Sequence, residues 1–421
     1  MRFGFRWVVI GLIAVATVVN YIDRNALAVM WPEISKEIGA SKEDYALLVT
    51  VFMIFYAIGQ SVFGRAFDRL GTRLGFTLSI VVWSLAIALH ATARSVTSFA
   101  MFRALLGISE AGAWPGAAKA NAEWFPGRER ALAQGVFNSG AAIGAIVSAP
   151  LIALLFLTLG WKATFLLVGV LGALWLIPWL LLYRSGPETH PWVSEAERAH
   201  ILGDREPAAS GADAEPAPSV RDLLRHRQSW AIILARFFLD PVWWLFVSWL
   251  PIYLAETFGF DIKQIGLFGW VPYVGAMLGS VFGGWLAGAL IRGGWSVDRA
   301  RKTVIALGAG IMLPALLVTT QAAEPLLAVL VIAVILFGFQ VAIGNIQSLP
   351  ADYFSGKSVG TLAGVSGTAA VAGVLLTTWL VPAMTEISYT PIFVLAAAIV
   401  PLSVVSILVL GGRIERLKAR A

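Results

Sequence analysis

Apolar runs of membrane-crossing length alternate with short polar breaks along nearly the whole chain, a pattern that predicts twelve helical spans. The first six run roughly from Trp7 to Met30, Tyr45 to Gly64, Gly75 to Ala93, Ser98 to Asn121, Ala131 to Leu159 and Ala163 to Tyr183. The second six run roughly from Ser229 to Ala255, Gln264 to Ile291, Val304 to Gln321, Leu326 to Leu349, Val359 to Met384 and Pro391 to Leu410. Between the two sets lies a long polar stretch, Arg184 to Gln228, with Ala-Ala-Ser-Gly-Ala-Asp-Ala-Glu-Pro-Ala-Pro at 208–218. Its Pro, Ala and charge content reads as a flexible linker. The expected layout is a six-helix bundle over 1–184, a cytoplasmic linker over 185–228 and a second six-helix bundle over 229–421. The N-terminal apolar stretch carries Asp23 and Arg24 and lacks a small-residue cleavage pattern, so it reads as the first span and not as a signal peptide.

The two sets of spans repeat one another. Glu-Trp-Phe-Pro-Gly-Arg at 123–128 matches Asp-Tyr-Phe-Ser-Gly-Lys at 352–357 with a constant offset of 229 residues. The match continues through Gly135-Val136 against Gly364-Val365, Ala141 against Ala370 and Gly144 against Gly373. Each segment joins a fourth span to a glycine-rich fifth. Parallel halves of this kind are related by an axis along the membrane normal, and folds built from them bind their substrates near the midplane. The fold class expected is therefore an all-α membrane protein of two pseudo-symmetric six-helix bundles.

Charge fixes the expected orientation. With the N-terminus inside, 22 of the 31 Lys and Arg fall in inner loops, the linker and the ends, five fall outside, and Arg24, Arg103, Lys119 and Arg236 lie within spans. That bias places both termini and the linker in the cytoplasm. The net charge of +6 then follows from dispersed loop bases, not from a patch that would bind nucleic acid. Composition agrees with lipid as the solvent: 58% of residues are hydrophobic and 13% charged, against about 45–50% and about 25% in soluble chains. There is no cysteine, and three of the four histidines (His190, His200, His226) sit in the polar segment. Disulfides, thiolate metal sites, cysteine nucleophiles and intramembrane histidine metal clusters are thereby excluded.

The few charges within spans need a reason, because each costs about 2.5–3.5 kcal/mol at a helix centre on insertion scales. The first span holds Asn20-Tyr21-Ile22-Asp23-Arg24-Asn25. The fourth holds Arg103 and Glu110, seven residues and about 10 Å apart on one helix face. The seventh holds Arg236 and Asp240 at i, i+4, close enough to pair. Each charged span carries both signs. Burial favours a neutral carboxyl and a nearby guanidinium favours an ionised one, so Asp23 or Glu110 can take up a proton and release it when its arginine contact changes. Arginine stays charged; once its carboxylate partner is neutralised it is free to bind an external anion. Most of the 17 Trp fit interfacial belts. Trp243 and Trp244 offer an indole surface suited to a sugar ring or to helix packing. Asn138, Asn345, Gln347 and Ser366 lie in or at the ends of apolar helices, where they can bond a polyhydroxy ligand or a neighbouring helix.

Between the second and third spans, Gly64-Arg-Ala-Phe-Asp68-Arg69-Leu-Gly71-Thr-Arg73 resembles the loop signature of the major facilitator superfamily. The matching stretch of the second half, Gly284-Trp-Leu-Ala-Gly288, has a glycine in place of the acid. The resemblance implies that Asp68, Arg69 and Arg73 act at an inner gate. Asn20-Tyr21-Ile-Asp23-Arg24 and Arg103 with Glu110 resemble, more narrowly, the anion:cation symporter branch, which couples protons or sodium to organic anions. Asp240-Pro-Val-Trp-Trp244 followed by Trp249-Leu-Pro-Ile-Tyr-Leu254 is similar to the hexuronate transporters of that branch.

Position by position, the resemblance implies Asp23 and Glu110 as proton-linked acids with Arg24 and Arg103 as their partners. It places Arg24, Tyr21 and Tyr56 at the substrate, and more loosely Asn138, Arg236, Trp244, Asn345, Gln347 and Ser366. What it implies overall is a proton-coupled hexuronate symporter of a bacterial inner membrane, working by alternating access. Its partners would be an organic anion, a proton and the bilayer, with no nucleic acid, cofactor or metal, and a monomer is expected. The alternatives are another sugar acid such as galactonate or glucarate, with sodium as a possible coupling ion. A receptor or an embedded enzyme is disfavoured by the duplicated layout and by the lack of a soluble domain.

Overall fold

The computed structural model describes residues 4–126, 129–203, 220–322, 324–354 and 357–415; the side chains at 61, 64, 65, 68, 130–132, 134 and 357–361 also fall outside the description. Contacts divide the chain into two compact units, 1–214 and 215–421. The first contains α1 (Phe5–Ile38), α2 (Lys42–Leu89), α3 (Val96–Glu110), α4 (Ala113–Trp124), α5 (Arg130–Leu182) and α6 (Glu195–Gly203). The second contains α7 (Val220–Leu224), α8 (Arg227–Phe258), α9 (Ile262–Phe268), α10 (Val271–Arg292), α11 (Val297–Thr319), α12 (Pro325–Tyr353), α13 (Lys357–Met384) and α14 (Thr390–Leu410). Strands are absent among the described residues.

Among the described residues, ten helical stretches are long and apolar enough to cross a membrane, and two local features reconcile this number with twelve spans. The stretch Gly135–Leu182 bends at Gly160, whose φ of 79° lies in the left-handed region that glycine tolerates, so it holds the fifth and sixth spans in succession. Gly71 has the same conformation (φ 78°) where α2 turns between the second and third spans. The fourth span is divided into α3 and α4, each too short alone. Pro115 has no N–H for the carbonyl of Ala111, four residues earlier, and the helix breaks there, one residue after Glu110.

Each unit repeats the same contacts. Gly144 of α5 lies against Val18 of α1, and Gly373 of α13 lies against Phe237 of α8; a methyl at either glycine would run into the facing backbone carbonyl. Gly275, Gly279 and Gly283, one turn apart on α10, face Ala333, Phe337 and Val341 of α12 in the same way. Thr72 donates to Glu123 Oε2 at 2.7 Å, and Arg301 pairs with Asp352 Oδ2 at 3.0 Å, both members of the second pair lying 229 positions after those of the first. Elsewhere Trp161 Nε1 donates to Glu37 Oε2 at 2.6 Å, and Tyr389 OH donates to Glu256 Oε2 at 2.6 Å. These clasps tie α1 to the second part of α5 and α8 to α14.

The polar segment expected as a free linker is, in its described first part, docked. Glu197 of α6 accepts from the backbone N–H groups of Phe5 (2.9 Å) and Arg6 (3.0 Å), donors left open at the start of α1. Arg6 also pairs with Glu197 (3.0 Å) and Glu129 (2.9 Å), and His200 donates to Glu129 at 2.8 Å. Burial pushes the Glu129 carboxyl upward, but its hydrogen bonds from His200 and Arg6 outweigh this and hold it below the usual carboxylate range. Phe5, Trp124, His190 and Trp192 stack beside this junction. Composition failed to reveal the docking because a few charged and aromatic anchors suffice to fix an otherwise polar segment. The stretch 208–218 lies outside the described residues.

Candidate substrate and coupling site

Three helices of the first unit bring together the residues singled out in the first, second and fourth spans. On α1, Asn20 and Arg24 are one turn apart, and Arg24 Nη2 donates to Asn20 Oδ1 at 3.3 Å. Arg24 crosses to the last residue of α3, with Nη2 3.1 Å and Nε 3.4 Å from Glu110 Oε2. Both side chains are buried, Arg24 at 6% exposure and Glu110 at 0%. Aromatic rings surround the guanidinium: its Cζ lies 5.3 Å from the Tyr21 ring centroid, 5.3 Å from Phe52 and 5.0 Å from Tyr56. Arg103 Cζ lies 5.6 Å from the same Phe52 ring.

Glu110 therefore takes Arg24, from another helix, as its hydrogen-bonded partner; spacing along α3 alone puts Arg103 about 10 Å away on the same face. Asp23 faces Glu110, Arg103 and Arg24, but neither of its oxygens has a hydrogen-bond partner among the described residues, and neither does Glu110 Oε1. A buried polar atom without a partner costs free energy, and a proton or a bound group would supply one. The arrangement can exchange partners: protonating Glu110 removes the anion that holds Arg24, and leaves a buried, aromatic-flanked guanidinium whose planar fork matches a carboxylate.

In the second unit, Arg236 and Asp240 pair directly at 2.8 Å, and Arg236 Nη1 donates to Ser366 Oγ at 3.4 Å. Asn345 belongs to a different network. Its amide oxygen accepts from Arg301 at 2.9 Å, and its amide nitrogen donates to the Val341 carbonyl at 3.0 Å and the Gly283 carbonyl at 3.4 Å. These bonds tie α12 to α10 and α11. Gln347 and Asn138 are exposed and Trp244 is half-buried. Trp243 stacks on Phe339 at 5.6 Å and meets Tyr273 edge-on. Of the loop residues, the Asp68 side chain lies outside the description, Arg69 is exposed, and Arg73 donates to the Leu180 carbonyl at 3.0 Å. Two further residues of this region carry little contrast in the sequence: Phe52, and Ser148, which accepts from the Asn25 amide at 2.9 Å. The one available signal for Phe52 was its place a turn before Tyr56.

Two half-sized helical units, each glycine-packed and holding buried charge, define a multi-pass membrane protein. The model of the Major Facilitator Superfamily matches residues 13–293, and the chain belongs to that family. It is 32% identical over 396 residues to the hexuronate transporter of Escherichia coli, covering 94% of this chain and 91% of that one. It is 35% identical over 312 residues to the galacturonate transporter of Dickeya chrysanthemi, covering 74% of this chain and 90% of that one. Among solved structures it resembles an inward-facing, unoccupied bacterial homolog of the human lysosomal transporter Spinster, with a TM-score of 0.73, 18% identity, and coverage of 96% and 94%. That likeness concerns the fold.

Proposed function

We propose that the protein is a proton-coupled symporter that takes up hexuronates such as glucuronate and galacturonate across a bacterial inner membrane by alternating access, with both termini cytoplasmic and the monomer as the working unit. The observation that carries the proposal is the buried Arg24–Glu110 pair at 3.1 Å, closed by aromatic rings, together with Asp23, whose oxygens accept no hydrogen bond among the described residues. The names of the relatives at 32% and 35% identity support the substrate class.

A proton from outside neutralises Glu110 and releases Arg24 to the carboxylate of the sugar acid, with Tyr21 and Tyr56 beside it. Asp23 is the second proton-linked acid and Arg103 holds its surroundings positive. Loss of the proton to the inside lets Glu110 recapture Arg24 and expel the substrate, so proton and anion cross together. Asp68, Arg69 and Arg73 control the inner gate. The test is uptake of labelled glucuronate, galacturonate and galactonate into proteoliposomes with an imposed pH gradient, a sodium gradient or neither. Uptake of a uronate driven by the pH gradient is expected, and Glu110→Gln and Asp23→Asn should each abolish that drive. Sodium-driven uptake indifferent to pH would overturn the coupling, and preference for galactonate would overturn the substrate.

A further inference from the structure

Phe52 stands at a point where two buried cations and one carboxylate meet. Its ring centroid is 5.3 Å from Arg24 Cζ and 5.6 Å from Arg103 Cζ, and its side chain is buried. Its backbone is pinned as well: a Cβ at Gly107 of α3 would run into the Phe52 carbonyl. Gly107 lies four residues after Arg103 and three before Glu110, so Phe52 is held against α3 at the level between those two charges. Across that level, Arg103 Nε and Glu110 Oε1 both lack a hydrogen-bond partner among the described residues. A donor and an acceptor of opposite charge, on one face of one helix, thus remain unjoined, with the Phe52 ring beside the donor and beside Arg24, the acceptor's partner.

We propose that Phe52 is a positioning residue that keeps Arg103 off Glu110, so that Arg24 is the one arginine Glu110 can hold and release. The inference rests on the proposed role of Glu110 as the site of proton uptake. Were Arg103 able to reach Glu110, the carboxylate would keep a cation after Arg24 departed, and neutralising it would need a higher proton concentration. The ionisable groups around Glu110 are Tyr21, Asp23 and Arg24 of α1, Tyr56 of α2, which meets it through Arg24, and Arg103 of α3, behind which lie Tyr45 at the start of α2 and His90 at its end. Removing the Phe52 ring still leaves Arg24 its contacts with Tyr21 and Tyr56, so the change falls mainly on Arg103.

The experiment measures galacturonate uptake into proteoliposomes as a function of external pH for the wild type, Phe52→Leu, Phe52→Met and Phe52→Tyr. A second arginine beside a carboxylate lowers its pKa by about one unit or more, so the Leu and Met variants should need about tenfold more protons for half-maximal uptake, while the Tyr variant, which keeps the ring, should follow the wild type. Coincident profiles for Leu, Met and wild type would overturn the proposal, as would an equal shift in the Tyr variant. If a folded Leu or Met variant does not transport, the pH dependence of galacturonate binding to the purified protein must show the same shift, and a folded variant that binds at no pH counts against the proposal. Glu110→Gln separates the two ideas. If it leaves the pH dependence of the wild type intact, the role of Glu110 fails; if it removes that dependence while Phe52→Leu changes nothing, only the role of Phe52 fails.

Discussion

Arg24 meets a carboxylate, an amide and three aromatic rings at once, and each asks something different of its guanidinium. The carboxylate takes N–H groups along one edge, while rings can lie against the planar faces. Lysine would keep the charge without the fork or the flat face. Arg24→Lys is accordingly expected to weaken apparent affinity for a uronate by about tenfold, the equivalent of ~1.4 kcal/mol, measured as a rise in the KM of uptake, with the protein still inserted and folded. What the sequence disclosed of this site, and what it concealed, follows from the reach of spacing rules. Charges inside apolar helices stand out against their neighbours, which made Asp23, Arg24, Arg103 and Glu110 conspicuous. Pairing between helices depends on packing, so the sequence left open which of Arg24 and Arg103 each acid holds, and the structure gives Glu110 a hydrogen bond from Arg24. Phe52 is an aromatic residue in an apolar helix and carries no contrast. Asn345 does carry contrast, yet a polar residue in an apolar helix looks the same whether it faces a ligand or, as its bonds to Arg301, Val341 and Gly283 show, its neighbours.

At the scale of helices, hydropathy located the spans well because each must fill the same thickness of hydrocarbon. It did not foresee that the fourth would be broken directly after Glu110, since the break depends on Pro115 and not on a loss of apolar character. Glycines set how near the helices approach. The row Gly275, Gly279 and Gly283 lets α10 lie with its backbone on that of α12, where even one methyl has no room. Gly279→Val should therefore push these helices apart, destabilising the second unit by about 1–3 kcal/mol, and thermal unfolding of the purified protein would register the loss as a lower transition temperature. Gly284→Val, at the residue after Gly283 and facing open space, is the matched control and should change little.

For the whole molecule, the repeat legible in the sequence survives as contacts more than as residues. Thr72 with Glu123 becomes Arg301 with Asp352 at the repeat offset, the pair keeping its place while its chemistry changes, and a glutamate near the end of α1 or α8 takes an aromatic donor in each unit, Trp161 for Glu37 and Tyr389 for Glu256. The inner-loop bias of Lys and Arg leads to a further expectation at this scale. A reporter active only in the cytoplasm should be active when fused after residue 421, and a reporter active only outside should be active when inserted near Lys162; the reverse pattern would refute the assigned orientation. The docking of α6 has a consequence in time as well as in space. Phe5 and Arg6 offer their backbone N–H groups to a carboxylate that enters the chain about 190 residues later. During synthesis those donors wait until six spans have been made. Between Gly203 and the end of α8 at Phe258 lie 55 residues, roughly 3 to 11 s of translation. In that interval the first unit can be fastened shut, start to finish, before the first long helix of the second is complete.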